Sequence, residues 1–165
     1  MDRSSSFESE LAALLPRLRR FAHGLSRNPA DADDLTQATI ERALRSRDQW
    51  QQGTRLDSWS YRIMRNLWID TARSMSRRAV HEAPEEEGLK VGDDPRDAMD
   101  AAVDLKRIMA AMAKLPDEQR EIVALILVEG FGYREVSEML DLPIGTVSSR
   151  LVRGRTALLA MVGEQ

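Results

Sequence analysis

Hydroxyl and guanidinium side chains alternate with apolar ones in residues 145–155, near the end of the chain. Arginine can donate paired hydrogen bonds to the acceptors of guanine, and serine can bond to several base edges or to a phosphate oxygen. Plotted as a helix, Ser149 and Arg153 lie opposite an apolar stripe that includes Val147 and Leu151. We therefore expect this helix to bury its apolar stripe and to turn Ser149 and Arg153 towards DNA.

A short helix is predicted just before this one, over residues 133–140, and Leu142-Pro143 marks the turn between them. Its apolar residues Val136 and Leu140 would receive the apolar stripe of the second helix. Two short helices joined by a tight turn are typical of a helix-turn-helix, whose second helix enters the major groove of duplex DNA. The pattern predicts a DNA-reading domain at the end of the chain.

A second basic surface is predicted on a long helix over residues 57–78. Four polar side chains fall within about 60° of one another on this helix: Arg62, Asn66, Arg73 and Arg77. Such a row suits phosphates and exposed base edges, and Trp59 near it could stack on an unpaired base. The alternative is that the arginines only solubilise an amphipathic helix whose core side holds Tyr61 and Met64, and that Trp59 also belongs to the core.

Acidic and amide side chains share a face of the helix predicted over residues 32–47, where Asp34, Gln37 and Glu41 recur at helical spacing. Carboxylates would repel DNA phosphates, so this face indicates a protein partner. The alternative is an ordinary solvated face.

The charge of the 165-residue chain is divided unevenly, although 24 Lys and Arg nearly balance 27 Asp and Glu. Residues 1–80 are basic, residues 81–104 are strongly acidic and the rest are balanced. Because the middle stretch also lacks apolar periodicity, we predict an acidic flexible linker over residues 81–97 between domains at residues 1–80 and 98–165. No alternating strand pattern occurs, so both domains are predicted to be all-α.

Helix boundaries follow from prolines and capping residues. In the first domain we predict four helices, over residues 7–15, 16–26, 32–47 and 57–78, with Pro16 opening the second and Asp31 capping the third. In the second domain, we predict that a helix ends at Leu115-Pro116 and that Asp117 caps the next one, over residues 118–128.

Several classes of protein are disfavoured by the composition. The chain has no cysteine and only two histidines, so we expect no disulfide, no metal site, no cofactor, no small-molecule substrate and no enzymatic centre. No apolar run approaches the roughly 20 residues that span a bilayer, and residues 1–16 do not read as a signal peptide. A cytoplasmic protein without membrane insertion is expected.

Four ordered segments give the chain a family resemblance. They are residues 31–37 (DADDLTQ), 59–70 (WSYRIMRNLWID), 115–120 (LPDEQR) and 145–150 (GTVSSR). Together they resemble the bacterial extracytoplasmic-function (ECF) sigma factors of the sigma-70 family, which retain only the domains called region 2 and region 4. The resemblance covers nearly the whole chain.

The resemblance implies a role in transcription initiation, in which Asp34, Gln37 and Glu41 bind the clamp helices of core RNA polymerase and the flap also contacts the chain. It implies that the −10 element is bound by Trp50, Arg55, Trp59, Arg62, Arg65, Asn66, Arg73 and Arg77, with a flipped base held by the loop at residues 48–56. It implies that the −35 element is bound by Thr146, Ser148, Ser149, Arg150, Val152, Arg153 and Arg155. An anti-sigma factor that holds the two domains closed is the further partner implied.

Two other functions are compatible with parts of this pattern. A sigma-like decoy would sequester an anti-sigma factor without contacting promoter DNA, and a helix-turn-helix repressor would bind duplex operators as a dimer without polymerase. The Asn66 and Trp59 surface has no purpose in a repressor. A small helical enzyme is the least favoured reading, since the sequence lacks a recognisable set of catalytic residues.

Overall fold

The computed structural model describes residues 3–79 and 100–163, and side chains within residues 6–74 and 104–163. Seven α-helices make up most of these residues: α1 (Arg3–Leu25), α2 (Pro29–Arg45), α3 (Leu56–Ala79), α4 (Asp100–Ala113), α5 (Asp117–Val123), α6 (Tyr133–Leu140) and α7 (Ile144–Gly163). No strand occurs in the described ranges, and no helix there is long and apolar enough to cross a membrane. The all-α prediction is confirmed, whereas the predicted linker lies outside the described residues.

Helix α1 runs without interruption through Pro16, so the predicted boundary between two helices at this proline is wrong. The reason lies in the apolar residues on either side of it. Phe7, Leu11, Leu18 and Phe21 are all buried and recur at helical spacing across the proline. A continuous helix keeps them on one stripe, and their burial offsets the backbone hydrogen bond that proline cannot donate.

Helix α2 begins three residues earlier than expected because Asn28, and not Asp31, is its N-cap. The side-chain Oδ1 of Asn28 accepts a 2.8 Å hydrogen bond from the backbone N–H of Asp31. Pro29 occupies the first helical position, where its missing N–H costs nothing and its fixed φ suits the helix. The helix then buries Ala32 and Leu35 against the rest of the first domain.

The second domain contains α4 to α7, and α6 has the predicted bounds. Asp117 is not the cap that we expected but the first residue of α5, preceded by Pro116. Its carboxylate accepts a 2.5 Å hydrogen bond from the buried guanidinium of Arg120 instead. After α5, a π-helical turn over Ala124–Val128 continues the chain to Gly130, whose φ of 78° lets it reverse towards α6.

The two domains pack directly on each other through α1 and α3 of the first and α4, α5, the π-helical turn and α6 of the second. Tyr61 of α3 lies between Phe21 and Phe131, with edge-to-face ring contacts at centroid distances of 4.7 Å and 5.4 Å. On α1, a Cβ added to Gly24 would lie 3.2 Å from Cβ of Ala124. The buried residues of both domains therefore form one continuous apolar core.

Candidate nucleic-acid interface

The turn between α6 and α7 is fixed by hydrogen bonds as well as by apolar packing. Asp141 ends α6 in the left-handed conformation at φ 54°. The Ser137 hydroxyl then donates to the Leu142 carbonyl at 2.5 Å, while the Leu142 N–H donates to the Ser137 carbonyl at 3.0 Å. Val136 and Val147 are both buried in the apolar core, and α6 contacts α7, as the sequence predicted. The second helix of the pair is thus held in a defined orientation.

The outward face of α7 is the one that the helical plot predicted. Ser149, Val152, Arg153 and Arg155 are exposed, and Val152 keeps 60% of its accessible surface. The opposite side of α7 is closely packed: a Cβ added to Gly154 would lie only 2.8 Å from a methyl carbon of Val123. The exposed face can therefore enter a DNA groove without disturbing the packing of α7 on α5.

Arg150, which belongs to the predicted −35 set, points elsewhere. Its side chain is largely covered, and its Nη2 lies 3.7 Å from Oε2 of Glu118 on α5. Thr146 and Ser148 are half-buried. The exposed members of the predicted −35 set are therefore Ser149, Val152, Arg153 and Arg155.

Helix α3 divides into a buried and a polar side in the predicted way. Tyr61 and Met64 are buried, whereas Arg62, Asn66 and Arg73 are exposed. Arg77 also lies on α3, in its final turns, where the side chains are outside the described set. The row of polar groups that we predicted therefore exists along the helix as far as Arg73.

The guanidinium of Arg62 is occupied by the second domain. Its Nε donates to the Met139 carbonyl at 3.0 Å, and its Nη2 donates to the Glu138 carbonyl at 3.1 Å. These carbonyls belong to the last turn of α6, where backbone acceptors lack helical partners and the helix dipole is negative. Such a site attracts a cation much as a phosphate would.

Two more residues of the predicted −10 set also contact the second domain. Arg65 donates to Glu121 at 3.1 Å, and burial raises the pKa of this carboxyl above its ordinary value despite that hydrogen bond. Arg55 pairs with Asp57 and Glu135 and lies 5.1 Å from the centre of the Phe131 ring. Arg55, Arg62 and Arg65 therefore face protein groups in this structure.

The two tryptophans of the predicted −10 set lie together on Phe7, at ring-centroid distances of 5.6 Å for Trp50 and 6.2 Å for Trp59. Trp59 is half-buried and packs against the apolar cluster. Trp50 and Gly53 line a depression of about 530 Å³, and the indole N–H of Trp50 is buried without a hydrogen-bond acceptor. The loop thus contains an open concavity, whereas Trp59 is placed as the core alternative supposed.

The predicted protein-binding face of α2 is exposed. Asp34, Gln37 and Glu41 are all accessible, while Leu35 and Ala43 on the other side of the helix are buried. Nothing from the described part of the second domain covers these three side chains.

Comparison with known protein families finds two models that match successive parts of the chain. Residues 11–78 match the family model for sigma-70 region 2, and residues 105–158 match that for sigma-70 region 4. The ECF RNA polymerase sigma factor EcfG of Rhodopseudomonas palustris (strain TIE-1) is 35% identical over 162 residues, which are 98% of this chain and 88% of that protein. This chain belongs to the ECF sigma factors.

Other relatives of this sigma factor agree with the assignment. The ECF sigma factor SigW of Bacillus subtilis (strain 168) is 31% identical over 79% of the chain and 75% of its own length. Among solved structures, the sigma factor RpoE in complex with the anti-sigma factor NepR from Bartonella quintana is 29% identical, with a TM-score of 0.84 over 97% of this chain and 98% of that one. CnrH, in complex with the cytosolic domain of CnrY, shares the fold at a TM-score of 0.66.

One polar cluster of the sigma factor was missed by the sequence analysis. The carboxylate of Glu129 is fully buried between the domains, where it accepts hydrogen bonds from Arg20 at 2.8 Å and 2.9 Å and from the Tyr61 hydroxyl at 2.8 Å. Nε of Arg17 lies 3.8 Å away. No local pattern marks Glu129, since its partners are 68 or more residues distant in sequence.

Proposed function

We propose that this sigma factor binds core RNA polymerase, recognises −35 and −10 promoter elements, and initiates transcription of a stress- or signal-responsive regulon. Its domains would be region 2 at residues 1–80 and region 4 at residues 98–165, joined by the linker at 81–97. The chain performs no bond-making step itself and needs no cofactor, because polymerase supplies the chemistry. It would act in the cytoplasm, where the chromosome is transcribed.

The single observation that supports the proposal is that each of the two domains presents an exposed polar helix face of a different kind. On α7, Ser149 and Arg153 stand on an exposed helix face whose shape suits a major groove. On α3, Arg62 and Asn66 lie on a polar row that suits an unpaired strand. Melting a duplex costs unstacking energy, which capture of the separated strand offsets.

Core polymerase would dock on the exposed face of α2 through Asp34, Gln37 and Glu41, with the clamp helices as the complementary surface and the flap contacting region 4. An anti-sigma factor is a further proposed partner, supported by the two similar structures that contain one. Such a factor would compete with polymerase for the sigma factor.

Transcription in vitro with core polymerase, the purified chain and fragmented genomic DNA as template tests the proposal. We expect discrete transcripts that require the chain, that are absent with core polymerase alone, and that weaken with Arg153→Ala. If no promoter-specific transcript forms on any template, the sigma-factor role fails. Binding to an anti-sigma factor alone would then favour the decoy, and duplex binding by a dimer would favour the repressor.

A further inference from the structure

An apolar side chain lies on the exposed polar face of α7. Val152 keeps 60% of its accessible surface, and its neighbours on the helix surface, Ser149 and Arg153, are exposed as well. At 100° per residue, the three side chains fall within an arc of about 100°. Val152 therefore belongs to the surface that would enter the major groove.

The packing of α7 fixes the direction in which Val152 points. Val147 and Leu151 are buried, and a Cβ added to Gly154 would lie 2.8 Å from a methyl carbon of Val123 on α5. If α7 turned about its axis, its side chains would collide with α5 and its apolar stripe would be exposed to water. The side chain of Val152 is thus held outward.

Two polar groups close to Val152 already have partners within the second domain. Nη2 of Arg150 lies 3.7 Å from Oε2 of Glu118, and the Ser149 hydroxyl donates to the Thr146 carbonyl at 3.1 Å. These bonds reduce the number of donors that α7 offers to DNA bases. A non-polar contact would therefore supply a larger share of the discrimination between bases.

The chemistry of the major groove decides what a valine can recognise there. Among the donors and acceptors of the base edges, thymine alone presents a methyl group, on its C5 atom. Valine neither donates nor accepts, so it would remove water from a polar base edge without replacing the lost hydrogen bonds. Against the thymine methyl it buries apolar surface instead. Its single preferred χ1 rotamer in a helix keeps the loss of side-chain entropy small.

We propose that Val152 is a specificity-determining residue of −35 recognition, and that it selects an A·T base pair by contact with the C5-methyl group of the thymine. The inference rests on the proposed function, since it assigns a base to part of the same surface. Arg153 beside it is suited to the paired acceptors of a guanine. The −35 element of this sigma factor would then contain a thymine, on one strand or the other, close to that guanine.

Deoxyuridine tests the contact, because uracil differs from thymine only in lacking the C5-methyl group. The probe is a promoter duplex identified by the transcription assay, in which each thymine of the −35 element, on both strands, is replaced in turn by deoxyuridine. We expect one of these replacements to weaken binding of the polymerase holoenzyme by about fourfold, as expected for one buried methyl group. Fluorescence anisotropy measures the affinity.

The variant Val152→Ala completes a double-mutant cycle with that deoxyuridine. It should bind the unmodified duplex about fourfold more weakly than the wild type, and the critical deoxyuridine should cause no further loss. Helicity by circular dichroism should stay unchanged, because the side chain is exposed and alanine is favourable in a helix.

Leu159→Ala is the matched control, since Leu159 is also 60% exposed on α7 but lies about 10 Å further along the helix axis. Holoenzyme with this variant should remain as sensitive to the critical deoxyuridine as the wild type.

A second exchange restores the methyl group on a different base. Replacing the critical A·T pair by G·C should weaken binding of the wild type. Placing 5-methylcytosine in that pair returns a methyl group to the same part of the groove. It should recover part of the lost affinity in the wild type and none in Val152→Ala.

The outcomes separate the two proposals. If the chain directs no transcription from any template, the proposed function fails, and the thymine contact fails with it. If transcription occurs but no deoxyuridine in the −35 element weakens binding, the thymine contact is overturned while the function stands. The same conclusion follows if the critical deoxyuridine weakens Val152→Ala by the same factor as the wild type.

Discussion

The hydroxyl of Tyr61 donates a 2.8 Å hydrogen bond to the buried carboxylate of Glu129, which lies 68 residues further along the chain. The two residues belong to different domains, and the bond forms only when α3 and the π-helical turn are packed together. Because Tyr61 also stands between Phe21 and Phe131, one side chain joins the apolar and polar parts of the interface.

The ionisation of Tyr61 should report this contact. Burial, followed by the hydrogen bond to Glu129 and its negative charge, raises the pKa of Tyr61 above the ordinary value. Since the folded-state pKa is raised, the stability contributed by neutral Tyr61 is fully present below about pH 10 and is lost as pH rises further. Tyr133→Phe leaves Tyr61 as the only tyrosine of the chain. Absorbance titration of this variant should show a cooperative ionisation at higher pH than that of free tyrosine.

Adding Glu129→Gln to that variant should move the ionisation of Tyr61 to lower pH, because the negative charge that raises its pKa is removed and an amide oxygen accepts a weaker hydrogen bond than a carboxylate. Burial would still keep the pKa above the ordinary value. A Tyr61 that titrates like free tyrosine in the Tyr133→Phe variant would contradict the packed arrangement.

Gly154 should be required for the close approach of α7 to α5. A methyl group at this position would meet Val123 at 2.8 Å and Cβ of Gln119 at 3.2 Å. Alanine has a higher helix propensity than glycine, but the free energy lost by overpacking exceeds that gain. We therefore expect Gly154→Ala to lower the free energy of unfolding by about 1–2 kcal/mol. Urea denaturation followed by circular dichroism measures this change.

Gly145→Ala is the matched control within α7, since an added Cβ there meets nothing within 4 Å. It should be neutral or slightly stabilising. Equal stability of the two variants would show that α5 can move away from α7 without cost.

Arg153→Ala should weaken binding of the polymerase holoenzyme to −35 duplex by about 1–3 kcal/mol, because an exposed arginine on the groove-facing side can form paired bonds to a base. Fluorescence anisotropy with a promoter duplex from the transcription assay measures it. Arg19→Ala removes an equally exposed arginine on α1 and should leave binding unchanged. Equal affinity of the two variants would remove Arg153 from the reading surface.

Asn66→Ala and Arg62→Ala should both impair promoter opening but differ in the free chain. Asn66 is exposed, whereas Arg62 bonds to the last turn of α6. We therefore expect Arg62→Ala alone to reduce energy transfer between fluorophores attached at Ala30→Cys and Ala160→Cys, which are exposed positions in the first and second domain. Permanganate reactivity of unpaired thymines at the −10 element measures opening, and full reactivity in both variants would exclude the two side chains from strand capture.

Local periodicity and turn chemistry predicted much of the fold and of the exposed polar surfaces. The positions of apolar residues along the chain are enough to predict three features. These are the bounds of α6, the buried side of α7, and the division of α3 into a buried side with Met64 and a polar side with Asn66. The break at Pro16 was wrongly predicted, because burial of Leu11 and Leu18 on one stripe outweighs the local cost of proline. The cap at Asn28 was missed for a different, local reason, since both Asn28 and Asp31 are good capping residues and Pro29 at the first helical position favours Asn28.

The sequence by itself determined an all-α chain with a helix-turn-helix reading face, a basic row on α3 and an acidic and amide face on α2, because each of these depends on residues three to four positions apart. Only the tertiary structure decided that Trp59 packs on Phe7, that Arg150 turns towards Glu118 and that Glu129 lies buried on Arg20 and Tyr61. Those placements join residues distant in sequence, so their energies depend on how two domains pack and leave no periodic trace along the chain.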